Sequence, residues 1–187
     1  YRAKLAGDAR PQIFDQAMHD AMAARLALEN ELRAGIEREQ FVLHFQPIFT
    51  LDRQRVVGFE ALVRWQHPRR GLLAPDMFLR SAEDTRLILP LGRWVLREAC
   101  RQVRRWLDAV PALPPNVLSV NLSALEILQP DAIAHLEQAL ADSGVPAHHM
   151  RLELTESLAV RDPDVAVAFC LAVRRLGLSV GVIIPNL

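Results

Sequence analysis

The sequence predicts an α/β protein: an incomplete barrel of the TIM type, with an antiparallel first strand pair and a helix leading into it. Three observations carry this. From residue 117 onward, short apolar runs alternate with helical patterns, the order that builds parallel sheets. Before them, two extended stretches, 41–50 and 55–65, adjoin across a turn at Asp52-Arg53 and so pair as a hairpin. The run 56–63 is nearly continuous in apolar residues, as in strands covered on both faces. A complete barrel takes about 250 residues and eight strands. Only about 150 residues follow the leading helix, and about five strands can be counted, so the barrel does not close.

Taken in order, residues 14–38 carry a broken apolar stripe at helical spacing: Phe14, Met18, Met22, Leu26, then Leu28, Leu32 and Ile36, with Gly35 inside it. The pattern suits a linker helix that packs on the next domain; a signalling or dimer-contact helix is the sharper alternative. The first strand is aromatic and β-branched and is closed by Pro47. His67-Pro68-Arg69-Arg70-Gly71 reads as a polar turn with solvated arginines. Pro75-Asp76 opens a helix, with proline early and an acid in the first turn. Residues 91–107 form the next helix, with Val95, Ala99, Val103 and Leu107 on its core face and Arg97, Arg101, Arg104 and Arg105 largely away from it.

Beyond the proline-rich break at 111–115, residues 117–120 form a short buried strand that delivers Asn121 at its end. Pro130-Asp131 starts a helix using Ile133, Leu136 and Leu140, which Gly144 ends. His148-His149 lead into a strand at 150–154. Adjacent histidines in a strand point to opposite faces, which argues against joint metal binding. Thr155-Glu156-Ser157 forms the loop after that strand. Residues 164–176 are helical through Val165, Phe169, Ala172 and Leu176, and 178–184 is one more apolar strand.

Composition narrows the function. The 187 residues are 51% hydrophobic, enough for one cored domain plus an appendage. Twenty-two basic and 22 acidic residues balance, so no global field attracts nucleic acid or an anionic membrane. The arginine-bearing helix face lacks the aromatic interleaving of a nucleic-acid surface, so neither DNA nor RNA is an expected partner. Cys100 and Cys170 fall in helical patterns without metal-type spacing and read as reduced core residues of a cytoplasmic protein. No apolar run approaches the roughly 20 residues of a membrane span, and no signal peptide is visible. The first residue is Tyr1 rather than Met, which reads as a piece of a longer polypeptide.

The chemistry centres on Glu60, a carboxylate inside the apolar run 56–63. Burial of such a group demands a partner: a metal, an arginine or a proton of its own. Arg64 is on the same strand face but about 13 Å away, too far for a direct pair. Glu60, Asn121 and Glu153 each fall at or near the C-terminal end of a different predicted strand, the face on which barrel enzymes build active sites. Two carboxylates and an amide offer oxygen alone, which suits Mg2+ or Mn2+ and gives zinc no thiolate or imidazole.

Glu60-Ala61-Leu62 followed by Val63-Arg64-Trp65 resembles the signature of the EAL family, metal-dependent phosphodiesterases that hydrolyse cyclic di-GMP. Phe45-Gln46-Pro47-Ile48, Ser119-Val120-Asn121-Leu122-Ser123 and Glu153-Leu154-Thr155-Glu156-Ser157 extend the resemblance, in family order, from about residue 36 to residue 180. It implies metal binding by Glu60, Asn121 and Glu153. It further implies catalytic roles for Glu60 and for Glu156, which orders a loop, and substrate contact through Gln46, Leu62 and Arg64, with the Arg64 guanidinium on a phosphate. The implied reaction is attack of a metal-activated water on one phosphodiester bond, opening cyclic di-GMP to linear pGpG. Tyr1-Arg2-Ala3-Lys4, with Gly7, resembles the end of a GGDEF domain. The implied organisation is the tail of an upstream GGDEF-like domain over 1–13, a linker helix over 14–38 and a partial EAL domain over 39–187, with a homodimer among the arrangements open to it.

One departure matters. The family places an Asp-Asp pair, within Asp-Asp-Phe-Gly, at the end of its fifth strand, and Lys, Glu and Gln on later strands. Aligned through Leu176-Gly177, the pair falls on Ile183 and Ile184, and Pro185 and Asn186 replace Phe and Gly. Isoleucine ligates no metal, so the expected site is half built and the chain inactive alone. Three readings follow: a phosphodiesterase cut or frame-shifted near residue 181, a degenerate EAL module that binds cyclic di-GMP or a protein partner without catalysis, or an interaction fragment that uses the helix at 14–38.

Overall fold

A computed structural model describes residues 16–52, 54–110, 113–155 and 162–183. The chain enters through helix α1 (Gln16–Glu37) and then forms the hairpin β1 (Phe41–Phe49) and β2 (Val56–His67). There follow β3 (Gly71–Leu73), a 3-10 turn at Pro75–Met77, α2 (Leu79–Asp84) and α3 (Ile88–Ala109). The second half contains β4 (Leu118–Leu122), α4 (Ala124–Ile127), α5 (Ala132–Ser143), β5 (Met150–Thr155), α6 (Pro163–Arg175) and β6 (Ser179–Ile183).

The strands make one sheet in the order β1-β2-β4-β5-β6. The first pair is antiparallel, with Phe41 opposite Trp65 and Gln46 opposite Glu60; the pairs β2–β4, β4–β5 and β5–β6 are parallel. This is the expected partial α/β barrel with an antiparallel entry. It has one strand more than expected: β3 pairs with residues 65–67 of β2, on the edge whose earlier part, residues 59–61, carries β4. Three residues are too few for periodicity to reveal.

Helix α3 forms because Leu91, Val95, Ala99, Val103 and Leu107 recur at helical spacing; the last four are buried as expected, and Leu91 is buried with them. Helix α5 ends at Gly144, whose φ of 65° is the left-handed cap that glycine adopts without strain. Helix α6 starts one residue earlier than expected and buries Ala166, Phe169 and Val173, while Val165, Ala172 and Leu176 are half-buried. Helix α4, a single turn, was not expected. Its signature is nonetheless present as Ser123-x-x-Glu126, a capping box in which each side chain satisfies the other's backbone N–H. The Pro75-Asp76 start proves to be a 3-10 turn, with the helix beginning only at Leu79.

The split stripe of α1 has a physical reason. Leu32 is fully buried, and Leu28 and Ile36 pack against the core, whereas Met22 and Leu26 are 68% and 58% exposed. The docked end is fixed by Trp65, which stacks on Phe41 at 5.5 Å, meets Phe78 edge-on at 5.8 Å and donates its indole N–H to Gln40. Gly35 lets the helix reach this ring, since a Cβ there would lie 2.9 Å from the indole nitrogen.

Arg69 and Arg70 are exposed, as expected of a solvated turn, and both also reach Glu31 on α1, Arg70 at 2.8 Å. The same carboxylate meets Nε2 of buried His67 at 3.2 Å. His67 Nδ1 accepts the backbone N–H groups of Arg69 and Arg70, so the ring proton is on Nε2 and points to Glu31. His148 and His149 lie in a 3-10 turn rather than a strand, with ring centroids 4.1 Å apart, and His149 is bonded to the Pro114 carbonyl at 2.9 Å. Among the described residues, no helix is long and apolar enough to cross a membrane.

Candidate functional site

The parallel register decides which side chains meet. Strand residues two apart share a face, so Glu60, Leu62 and Arg64 lie on one face of β2. On β4 that face carries Ser119, opposite Glu60, and then Asn121. Asn121 is opposite Glu153 on β5, and Glu153 is opposite Gly181 on β6. Gln46, directly across the antiparallel pair from Glu60, completes the same surface. Four adjacent strands therefore bring Gln46, Glu60, Asn121 and Glu153 onto one face.

The side chains confirm part of this. Asn121 Nδ2–H donates to Glu60 Oε1 at 2.7 Å, at the short end of the N–H···O range. Among the described residues, the neutral Asn121 amide is thus a hydrogen-bond partner of Glu60. Glu60 is half-buried, so the desolvation cost of its charge is smaller than full burial would impose. Arg64 does not reach Glu60, as expected, and its guanidinium donates instead to the Val63 carbonyl at 2.9 Å. Leu62 and Asn121 border a cavity of about 250 Å3 that runs toward α3, with Leu79, Gly92, Ser123 and Glu126 also in its wall.

Glu153 has a neighbour that sequence reasoning missed. Arg151, two residues earlier on the same face, brings Nε to 3.6 Å from Glu153 Oε1. Its guanidinium lies across Gly181, where a Cβ would be 2.4 Å from Nη2. Nε is buried and has no hydrogen-bond partner, so the contact with Glu153 is one of charge rather than a hydrogen bond. The i, i+2 spacing on a strand was the available signal; the glycine across the ladder that makes room for the guanidinium was not visible before the sheet was assembled.

Among the described residues, no three His, Cys, Asp or Glu side chains gather at one place. Asn121 and Glu153 stand near the C-terminal ends of β4 and β5 as expected. Glu60 is instead the fifth of the twelve residues of β2, because that strand runs on to pair with β3. Together they make two carboxylates and an amide. Ile183 is opposite Thr155 in the β5–β6 register, two positions beyond Gly181. Glu156 and Ile184 lie outside the described residues.

The EAL domain model matches residues 29–182. The bifunctional diguanylate cyclase/cyclic di-GMP phosphodiesterase MucR of Pseudomonas aeruginosa is 38% identical over 182 residues, 97% of this chain and 26% of that protein. The cyclic di-GMP phosphodiesterase PdeR of Escherichia coli is 36% identical over 180 residues, 96% of this chain and 27% of that protein. The chain spans about a quarter of the length of these two relatives. Among solved structures, the PaMucR phosphodiesterase in its c-di-GMP complex superposes with a TM-score of 0.78 at 40% identity, over 82% of this chain and 62% of that one. The Xanthomonas citri FimX EAL domain, in complex with c-diGMP, follows at 0.73 and 25% identity, over 90% of this chain and 63% of that one.

Proposed function

Since this chain belongs to the EAL domain family, we propose that it carries the first half of a cyclic di-GMP phosphodiesterase site, for metal-dependent hydrolysis to linear pGpG, and is inactive alone. The observation that carries the reading is the contact of Asn121 with Glu60 on the face that also bears Glu153. Glu60, Asn121 and Glu153 would hold Mg2+ or Mn2+: three oxygen donors on neighbouring strands suit a hard cation. Such an ion, when bound, lowers the pKa of a coordinated water and takes up negative charge on the phosphodiester.

The chain's own groups have separate tasks. Glu60 and Glu153 supply negative charge, and the Asn121 amide orients Glu60. Gln46 sits beside Glu60 to meet the nucleotide, Leu62 offers it an apolar wall, and Arg64 presents a planar fork to a phosphate once it releases the Val63 carbonyl. Glu156 is assigned the ordering of the loop after β5. The name of MucR, joining a diguanylate cyclase to a phosphodiesterase, supports residues 1–13 as the tail of an upstream GGDEF-like domain. A second reading, binding of cyclic di-GMP or a protein partner without turnover, is favoured by Ile183 standing on β6 where the family has its first aspartate.

The test is hydrolysis of cyclic di-GMP with Mg2+ or Mn2+, followed by chromatography beside a Glu60→Ala control. We expect no pGpG from this chain. Turnover that vanishes in the control would mean the site is complete as it stands. A rise in melting temperature with cyclic di-GMP would separate a binding module from an interaction fragment, because a ligand that binds only the folded state stabilises it.

A further inference from the structure

The end of β4 is held from outside the site. Two residues after Asn121 the strand gives way at Ser123, whose backbone N–H and hydroxyl both donate to Glu126 Oε2, at 2.9 and 2.7 Å. The Glu126 N–H donates back to Ser123 Oγ at 3.3 Å. Capping alone does not account for the position of the other oxygen. Glu126 Oε1 sits in a notch on α3, where a Cβ built on Gly92 would fall 1.7 Å from it and 2.5 Å from Cδ. Any residue larger than glycine at 92 displaces this carboxyl.

The seat is a costly one. Burial pushes the Glu126 carboxyl above the ordinary glutamate value; the hydrogen bonds from Ser123 oppose this, and the charge of Glu83 adds to it. A glutamate turned to solvent would avoid that cost. Here it links three pieces instead: the strand end that bears Asn121, the first turn of α4 and the side of α3. It also walls the cavity that Asn121 borders.

We propose that Glu126, seated in the Gly92 notch, is a positioning residue for Asn121: it fixes the β4 end so that the Asn121 amide stays on Glu60. The inference rests on the proposed role of Asn121 as a metal ligand. One oxygen, Oε2, accepts both Ser123 bonds. Glutamine can therefore reproduce the arrangement, with its carbonyl in place of Oε2 and its amide nitrogen in the notch, whereas alanine cannot.

The test uses the 187-residue chain with two readouts. The first is the NMR signal of the Asn121 side-chain amide, identified by its loss in Asn121→Ala. The second is Mn2+ uptake, followed by loss of the free-ion EPR signal. Glu126→Ala should move the Asn121 signal toward that of a solvated amide and weaken Mn2+ binding about tenfold. Glu126→Gln should leave both as in the parent chain. Gly92→Ala should reproduce Glu126→Ala, yet add nothing when combined with it, since the group it displaces is then gone. The idea is overturned if Glu126→Ala or Gly92→Ala, still folded by circular dichroism, leaves the Asn121 signal in place, or if the two effects add in full. Should Glu126→Ala fail to fold, Gly92→Ala carries the test. If the parent chain takes up no Mn2+ while the Asn121 signal responds as stated, the positioning role is upheld and the metal reading falls.

Discussion

Glu126 illustrates how one carboxyl can hold a site together while costing the fold stability. Its folded pKa is raised, so the stability that its protonated form contributes is fully present below the ordinary value of 4.5 and is lost as pH rises through the folded value. Glu126→Gln removes that loss. Its melting temperature should therefore equal or exceed that of the parent chain at neutral pH, with the gap closing toward pH 4.5. A gap that widens on acidification would refute the sign. At this scale the sequence was informative where chemistry depends on strand position: Glu60 could be placed because it interrupts an apolar run, and Asn121 and Glu153 because each lies near the end of one. Glu126 and Arg151 could not, because their roles depend on glycines, Gly92 and Gly181, brought to them by other elements.

Among the elements, the docking of α1 has the clearest chemical signature. Burial opposes the charge on Glu31, but the hydrogen bond from His67 and the charges of Arg70 and Arg69 outweigh it and hold its pKa below the usual carboxylate value. A depressed pKa contributes stability above the unfolded value, lost as pH falls through the folded one. Acidification and Glu31→Ala should thus have the same effect, loosening residues 28–37 from β2 and β3. Hydrogen exchange of those amides should quicken roughly tenfold in Glu31→Ala, with β4 and β5 unchanged. Equal protection in the variant would show that the packing of Leu32 and of Gly35 on Trp65 suffices. The stripe of α1 was legible, including its break, because apolar spacing records which turns are covered. The clamp was not: His67, Arg69 and Arg70 look like any polar turn until helix and hairpin are adjacent.

For the whole molecule, the sheet is open on its β6 side among the described residues. Val182 on β6 and Val167 and Leu171 on α6 are each more than half exposed, around a cavity of about 350 Å3. An unpaired strand edge beside an apolar surface invites association. The chain should sediment as concentration-dependent oligomers, and Val182→Lys or Leu171→Lys should shift it toward monomer; a parent chain that is monomeric at all concentrations would refute this. The partial barrel was legible from the alternation of elements. Its open side was expected from the count of strands, and the exposed residues that line it emerged only in three dimensions.

The order of the sheet has a further consequence for how the chain is made. Neighbours along β1-β2-β4-β5-β6 follow one another in the chain, with β3 added to β2 on the way. On the ribosome, then, each strand would emerge to find its template already finished, and no strand would wait for a later one. The hairpin needs only a short turn to close, and loop closure is least costly for such local contacts. It would form first and offer the edge on which the parallel strands are laid, with domains folding from the N-terminus during synthesis. A nascent chain exposed only as far as α4 would already hold every group needed to set Asn121 against Glu60, before the strand carrying Glu153 had left the exit tunnel.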